Sequence, residues 1–349
     1  FGKTSNRGIE LSVNVDVINK GDFRFNVGAI YNYNRNKLDE LPNADQYLYS
    51  SYWGSSSLVP TNDYMFVEGK AIGLVRGFIS EGYYTVDDFN YTNGQYVLKE
   101  GVPDITKALT ATYMHPYDLP AGQTAFPGAA KFRDVDESGT VDLDDATCLG
   151  EVMPRHTGSF QLNFNYKNFD LSTNFNWTAG GKVYNVAAMI NASGQEFDGI
   201  GAQRASWVAD AFKVYNVNAA GDLYAVTNPD ELRALNANAK YHLPYHQSGI
   251  TSSEWLENGS YLRLQTLTLG YTLPKNWLTK VHVDKIRLYL TATNLFTITG
   301  YSGIDPEVNA NPTGQSGFYS DLRIFPTLNM DFGTYPRART FTFGANITF

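Results

Sequence analysis

Cysteine is nearly absent from this chain. Cys148 stands alone, which excludes an intrachain disulfide framework and a cysteine zinc cluster. Histidine is scarce as well, at five residues. His242 and His246 are four apart, but Pro244 lies between them and no Glu follows the first. The metalloprotease pattern is therefore unmet, and loop histidines are the better reading. Charge is thin: 18% of residues, where about 25% is usual for a soluble domain. The formal charge of −8, with no basic patch, speaks against nucleic acid as a partner. No apolar run of about 18 residues exists, so no transmembrane helix is expected. There is no Gly-x-Ser-x-Gly, no phosphate-binding glycine loop, and no carboxylate pair set apart for glycoside hydrolysis; an enzyme and a cofactor are not expected. No charged segment followed by an apolar one stands at Phe1, so no signal peptide is read there. A strand pattern already runs by Gly8, which gives the expectation that the chain is the carboxy-terminal part of a longer one.

Aromatic residues are abundant, with 24 Tyr and 21 Phe. That suits aromatic girdles or a sugar-binding surface. The final stretch alternates strictly. Phe341, Phe343, Ala345, Ile347 and Phe349 share one parity, and Thr340, Thr342, Gly344, Asn346 and Thr348 the other. Side chains of a strand point alternately to opposite faces, so this strand is apolar on one side and polar on the other. Two architectures end this way: a membrane β-barrel, apolar toward lipid, and a soluble β-sandwich.

The rest of the chain weighs between them. Ile9, Leu11, Val13, Val15 and Val17 alternate with polar residues up to the turn Asn19-Lys20-Gly21-Asp22. Phe23, Phe25, Val27, Ala29, Tyr31 and Tyr33 then alternate back, which reads as a long antiparallel hairpin. A second hairpin pairs Phe160–Tyr166 with Phe169–Trp177 around Lys167-Asn168. Leu262 and Leu264 sit on one parity and Leu267, Leu269, Tyr271 and Leu273 on the other, so a bulge is expected near Gln265-Thr266. Ile286, Leu288, Leu290 and Ala292 form a further run. That makes seven clear strands. Shorter runs lie in 64–84. Residues 35–63 read as a polar loop, 85–130 as irregular, and 179–257 and 297–338 as long loops. Pro229–Leu235 carries helix-start signals. Tight turns alternating with very long loops are the rhythm of a transmembrane antiparallel β-barrel, which is the fold class favoured here.

Six motifs carry a family resemblance: Asn6-Arg7-Gly8-Ile9-Glu10-Leu11; Phe132 through Asp142; Tyr166-Lys167-Asn168-Phe169-Asp170-Leu171-Ser172; Tyr261-Leu262-Arg263-Leu264 with Leu269-Gly270-Tyr271-Thr272-Leu273-Pro274; Asn294-Leu295-Phe296 with Asp305-Pro306-Glu307; and Tyr335-Pro336-Arg337-Ala338-Arg339-Thr340-Phe341. In this order and spacing the chain resembles the SusC/RagA family of TonB-dependent transporters. The resemblance implies that residues 1–349 are the carboxy-terminal portion of a plugged barrel of about 22 strands, with about 8–11 strands supplied here and the plug domain absent. It implies a cell outer-membrane, multi-pass protein that imports oligosaccharides or oligopeptides. Its partners would be a SusD-like surface lipoprotein, TonB through the missing amino-terminal region, and outer-membrane lipid, in a dimer of transporter–lipoprotein pairs. Phe341, Phe343 and Phe349 would form the barrel-assembly signal. The rival readings are a non-energised porin or adhesin barrel and a soluble carbohydrate-binding sandwich.

Two sets of residues are candidate sites. Asp134, Asp136, Ser138, Thr140, Asp142 and Asp145 follow a calcium-loop spacing, with Gly139 at the sharp turn and the Thr140 carbonyl as one ligand. Asp145 replaces the usual bidentate Glu, so a structural Ca²⁺ held weakly is the expectation, against a solvated acidic turn. Tyr47, Tyr49, Tyr52 and Trp53 cluster in one loop, with Tyr241, Tyr245, Tyr301 and Tyr319 in others. Such rings can pack on a sugar face, a peptide side chain or a partner protein.

Overall fold

The computed structural model describes residues 2–42, 45–51, 58–110, 115–193, 205–243, 249–278, 283–308, 329–331 and 333–349. Seven long strands form one sheet: β1 (Lys3–Lys20), β2 (Phe23–Glu40), β3 (His156–Tyr166), β4 (Phe169–Ala179), β5 (Tyr261–Thr272), β6 (Lys285–Thr299) and β7 (Thr340–Thr348). They lie in chain order, and every neighbouring pair is antiparallel.

The alternation in the sequence becomes two continuous faces. Ile18, Phe25, Phe164, Leu171, Leu269, Leu290 and Phe343 pair in register across all seven strands. On the other face the row is Asn14, Gly28, Gln161, Asn174, Thr266, Thr293 and Thr340. The apolar row faces outward: Ile18 is 40% exposed, Leu269 45%, Leu290 44% and Phe343 74%. A sandwich would bury such a row against a second sheet. A barrel wall turns it toward lipid.

The bulge lies where the parity switch put it. Asn174 pairs with Thr266 and Phe175 with Leu264, leaving Gln265 as the extra residue. Its amide accepts from Asn176, so the extra residue stays bonded on the polar face. β6 compensates beside it at Asn294, whose backbone adopts φ +50°. Gly270 has a packing reason too. A Cβ there would lie 2.5 Å from both Asp170 and Arg287, and these two form an ion pair across β4 and β6.

Aromatic residues gather in two bands on the outward face. Near the tight turns, Phe23 packs edge-on to Tyr166, Phe25 stacks on Phe164 at 4.3 Å, and Phe169 meets Tyr271 at 4.6 Å. At the far end, Tyr31 stacks with Trp177, and Tyr33 meets His156 at 5.1 Å. Phe23 and Tyr33 are about ten residues apart on β2, which at ~3.4 Å per residue and a tilt of ~40° separates the bands by about 26 Å. The apolar belt of an outer-membrane barrel is about 25 Å tall.

Several expectations are corrected. The sheet has seven strands among the described residues, not 8–11, because the shorter runs pair with one another in the loops. Residues 35–63 are not all loop: β2 continues to Glu40, and Gln46–Tyr49 joins Tyr64–Val67, Leu74–Gly77 and Thr147–Glu151 in a four-stranded sheet. Residues 85–130 hold a hairpin, Phe89–Thr92 with Gln95–Leu98. The long insertion contains α1 (Val186–Ser193), α2 (Ala205–Asp210) and α3 (Pro229–Leu235). Only α3 was legible, through Pro229 and the acids Asp230 and Glu231 in its first turn; the structure adds Asn228 as its cap.

The buried core lies in these loops. Phe78, Tyr84, Tyr96, Ile105, Phe126 and Leu232 belong to one apolar cluster, and Tyr64, Val75, Tyr184, Trp207, Trp255 and Met330 to another. The buried tyrosines keep their hydroxyls bonded: Tyr84 donates to the Pro103 carbonyl at 2.7 Å and Tyr96 to that of Thr227 at 2.8 Å.

Candidate functional site

The polar face of the wall is lined by amides, hydroxyls and a few paired charges. Asn26 donates to Asn14 and Asp16, Asn163 to Asn26, and Ser172 to Asn163. Thr268 bonds Thr291 at 2.9 Å, and Arg287 forks onto Asp170. Neighbouring strands thus exchange bonds sideways along the face, a lining suited to a water-filled lumen.

At the long-loop end, three of the sequence motifs converge. Arg263 on β5 is buried, and its Nη2 lies 2.5 Å from Asp305 Oδ1. Its Nη1 reaches Glu307 at 3.2 Å, and Glu307 reaches Arg337 at 2.6 Å. Nε donates to Thr297 on β6. Asn294 donates to the Ala338 carbonyl at 3.0 Å. Arg263, Asn294, Thr297, Asp305 and Arg337 line a cavity of about 320 Å³, with Arg339 at its wall. The network ties β5, β6 and the approach to β7 through the 300–308 segment. Sequence reading quoted each of these motifs without seeing that they meet, since spacing alone does not pair Arg263 with a carboxylate some forty residues away.

The acidic loop is brought together in part. One carboxylate oxygen each of Asp134, Asp136 and Asp145 lies within 4.8 Å of the others. Asp145 is fully buried and accepts from the Val135 and Asp142 amides. Asp134 accepts from the amides of Ser138 and Gly139, and Asp136 from that of Ser138. Bonds from Ser138 hold the exposed Asp136 carboxyl below its ordinary range. Asp142 lies outside this group: it caps the turn Leu143–Asp145 through the Asp144 amide. Ser138 Oγ donates to the Thr140 carbonyl at 3.0 Å. Three gathered carboxylates fit a hard cation, while Ser138 and the Thr140 carbonyl bond each other and Asp142 caps the next turn.

The aromatic loop residues divide. Tyr49 is buried and stacks on Phe66 at 4.7 Å, so it is core rather than loop surface. Tyr301 is also buried, its hydroxyl donating to Asp331 at 2.6 Å. Tyr47 is exposed. Tyr241 stacks on Trp207 at 3.8 Å beside a cavity of about 220 Å³. Tyr52, Trp53, Tyr245 and Tyr319 lie outside the described residues. Sequence reading missed Trp207, Glu254 and Trp255 at that cavity; an isolated Trp in a long loop gave no pattern to follow. On the closing strand, Phe341, Phe343 and Phe349 are all strongly exposed on the outward face.

No family model matches the chain. Individual proteins do. The chain is 29% identical over 350 residues to TonB-dependent receptor P3 of Formosa agariphila and 24% identical over 358 residues to TonB-dependent receptor SusC of Bacteroides thetaiotaomicron. All of the chain is covered in both, but only 29% and 27% of those proteins. Its fold matches the RagAB peptide transporter with a TM-score of 0.63 at 20% identity, over all of this chain and 30% of that one. The chain spans less than a third of the length of these relatives. Along its whole length, in sequence and in fold, the chain thus resembles the SusC/RagA family of TonB-dependent transporters.

Proposed function

We propose that the chain is the carboxy-terminal part of an outer-membrane importer, a plugged β-barrel that takes up oligosaccharides or oligopeptides too large for passive pores. One observation carries this reading. Seven paired strands present an apolar face between two aromatic bands, while the packed core sits in the loops at one end. Water cannot be the solvent of such a face. The relatives are receptors and transporters, which supports import over catalysis. Energy from TonB and a SusD-like lipoprotein lid, arranged as a dimer of transporter–lipoprotein pairs, complete the reading on the same ground. The test uses the full-length protein in its native outer membrane. Unheated samples should migrate anomalously on gels and shift on boiling, and uptake of the cognate nutrient should vanish when TonB is removed. Uptake that persists without TonB would leave only a passive barrel.

In the same reading the loop 134–145 holds a structural calcium ion on Asp134, Asp136, Asp145 and the Thr140 carbonyl. A crystal grown in millimolar calcium should show an anomalous peak there, lost in Asp134→Ala/Asp136→Ala. A parent crystal without that peak removes the ion.

A further inference from the structure

The cavity of about 220 Å³ in the loop layer has an unusual wall. Trp207 on α2 stacks on Tyr241, with rings 3.8 Å apart and 15° from parallel. Trp255 packs beside them, 5.3 Å from Trp207, and lines the same cavity. Glu254 and Glu257 line the same space, and Ser302 stands exposed at its mouth. Among the described residues no lysine or arginine pairs with either glutamate.

Among the described residues the basic neighbour is His242, whose Nε2 lies 3.8 Å from Glu254. Its Nδ1 donates to the Leu243 carbonyl at 2.7 Å, which fixes the tautomer of the neutral ring. Burial also pushes His242 down to about 4. Glu257 is held by Asn185 and Ser302; those donors fix its position and add no charge. Burial without a cation pushes the Glu254 carboxyl up to about 7. Trp207 is itself more than nine-tenths buried, and its indole N–H has no acceptor among the described residues.

An aromatic wall with two carboxylates and, among the described residues, no lysine or arginine counter-ion suits a cation. We propose that this cavity binds the alkylammonium group of a peptide, a lysine side chain or a free amino terminus, with its alkyl part against the aromatic wall and Glu254 and Glu257 on its charge. The inference rests on the import reading and names a chemical group of its substrate. The lining favours a peptide over an amino sugar: among the described residues it holds few hydroxyl partners for a sugar ring, while an aromatic wall suits an alkyl chain.

The test is calorimetry on the full-length protein in detergent, with four probes: N-acetyl-Gly-Lys-Gly-amide, its Nε-acetyl-lysine analogue, Gly-Gly-Gly-amide and glucosamine. The lysine peptide or the triglycine amide should bind, and which of them binds identifies the source of the ammonium. Acetylating the lysine should weaken a lysine-directed site at least tenfold, and Glu254→Gln should weaken binding by a similar factor. Ser302→Trp keeps both charges but fills the exposed mouth, and should abolish binding; it decides the matter if Glu254→Gln does not fold. Absence of binding by both peptides, an acetylated analogue as tight as its parent, an undiminished Glu254→Gln, or glucosamine binding tighter than either peptide each overturns the site. Heat-modifiable migration and TonB-dependent uptake in the same preparations read the import hypothesis separately. A working importer with an indifferent cavity refutes this site alone.

Discussion

Arg263 shows how much one side chain can organise. It leaves β5 on the polar face, where the alternation requires it, and then serves two acidic residues from a distant loop. Burying a guanidinium is tolerable only with its partners in place. Asp305 is the indispensable one: buried, 2.5 Å away, and also accepting the Glu307 amide. Arg263→Ala should lower stability by about 3–5 kcal/mol, because Asp305 is left as a buried, unpaired charge. Asp305→Asn should cost less, since Glu307 still faces the arginine. The temperature at which the full-length protein loses its heat-modifiable band measures both. Equal midpoints for parent and Arg263→Ala would mean that water reaches the pair. The arginine's importance was visible in the sequence only as part of a motif. Its chemistry was not, because ion pairing across a loop follows tertiary packing rather than spacing. Tyr49 and Tyr301 teach the converse: an aromatic residue in a polar stretch can be the centre of a core, and composition does not distinguish it from a binding residue.

Strands were the most legible elements. Period-two alternation located all seven and the bulge in β5, because a strand facing lipid on one side and water on the other repeats its pattern faithfully. Their ends were less clear. β2 runs on to Glu40 and β6 to Thr299, past the point where the apolar row gives way to polar residues outside the belt. The loop strands, two to five residues long, are too short to show any period. The two faces make a sharp prediction. Leu162 lies on the outward face between Val27 and Thr173, and Gln161 on the inner face between Gly28 and Asn174. Leu162→Arg should cost about 2–4 kcal/mol near the bilayer midplane, whereas a lumenal substitution chiefly alters what passes. Gln161→Arg should therefore leave the heat-modifiable band in place. Measured in the full-length protein, equal losses at both positions would mean that both faces are packed, as in a sandwich.

At the scale of the whole chain, apolar packing is distributed in an order opposite to that of a soluble domain. The longest strands carry the most exposed hydrophobic rows, and the short loop segments enclose the buried clusters. The sheet is also open. Among the described residues β1 and β7 are each paired on one side only, and β1 leaves a long edge of peptide groups with no strand partner there. In lipid every such group must find a partner within the protein, so an open edge cannot stand there. Self-closure is barred by parity. Seven strands in antiparallel succession leave β1 and β7 running in the same direction, so joining them would make a parallel seam in an antiparallel barrel. Closing the wall calls for further strands between those two edges, in keeping with the small share of the relatives' length that this chain spans. Residues 1–349 produced alone in an outer-membrane host should therefore collect as aggregate, with no band that shifts on boiling. The full-length protein should give that band under the same conditions. Co-production of the remaining segment as a separate chain should recover part of it, because the missing strand partners are then supplied in trans. A heat-modifiable, membrane-inserted monomer of residues 1–349 by themselves would defeat the parity argument and require a closure of β1 on β7.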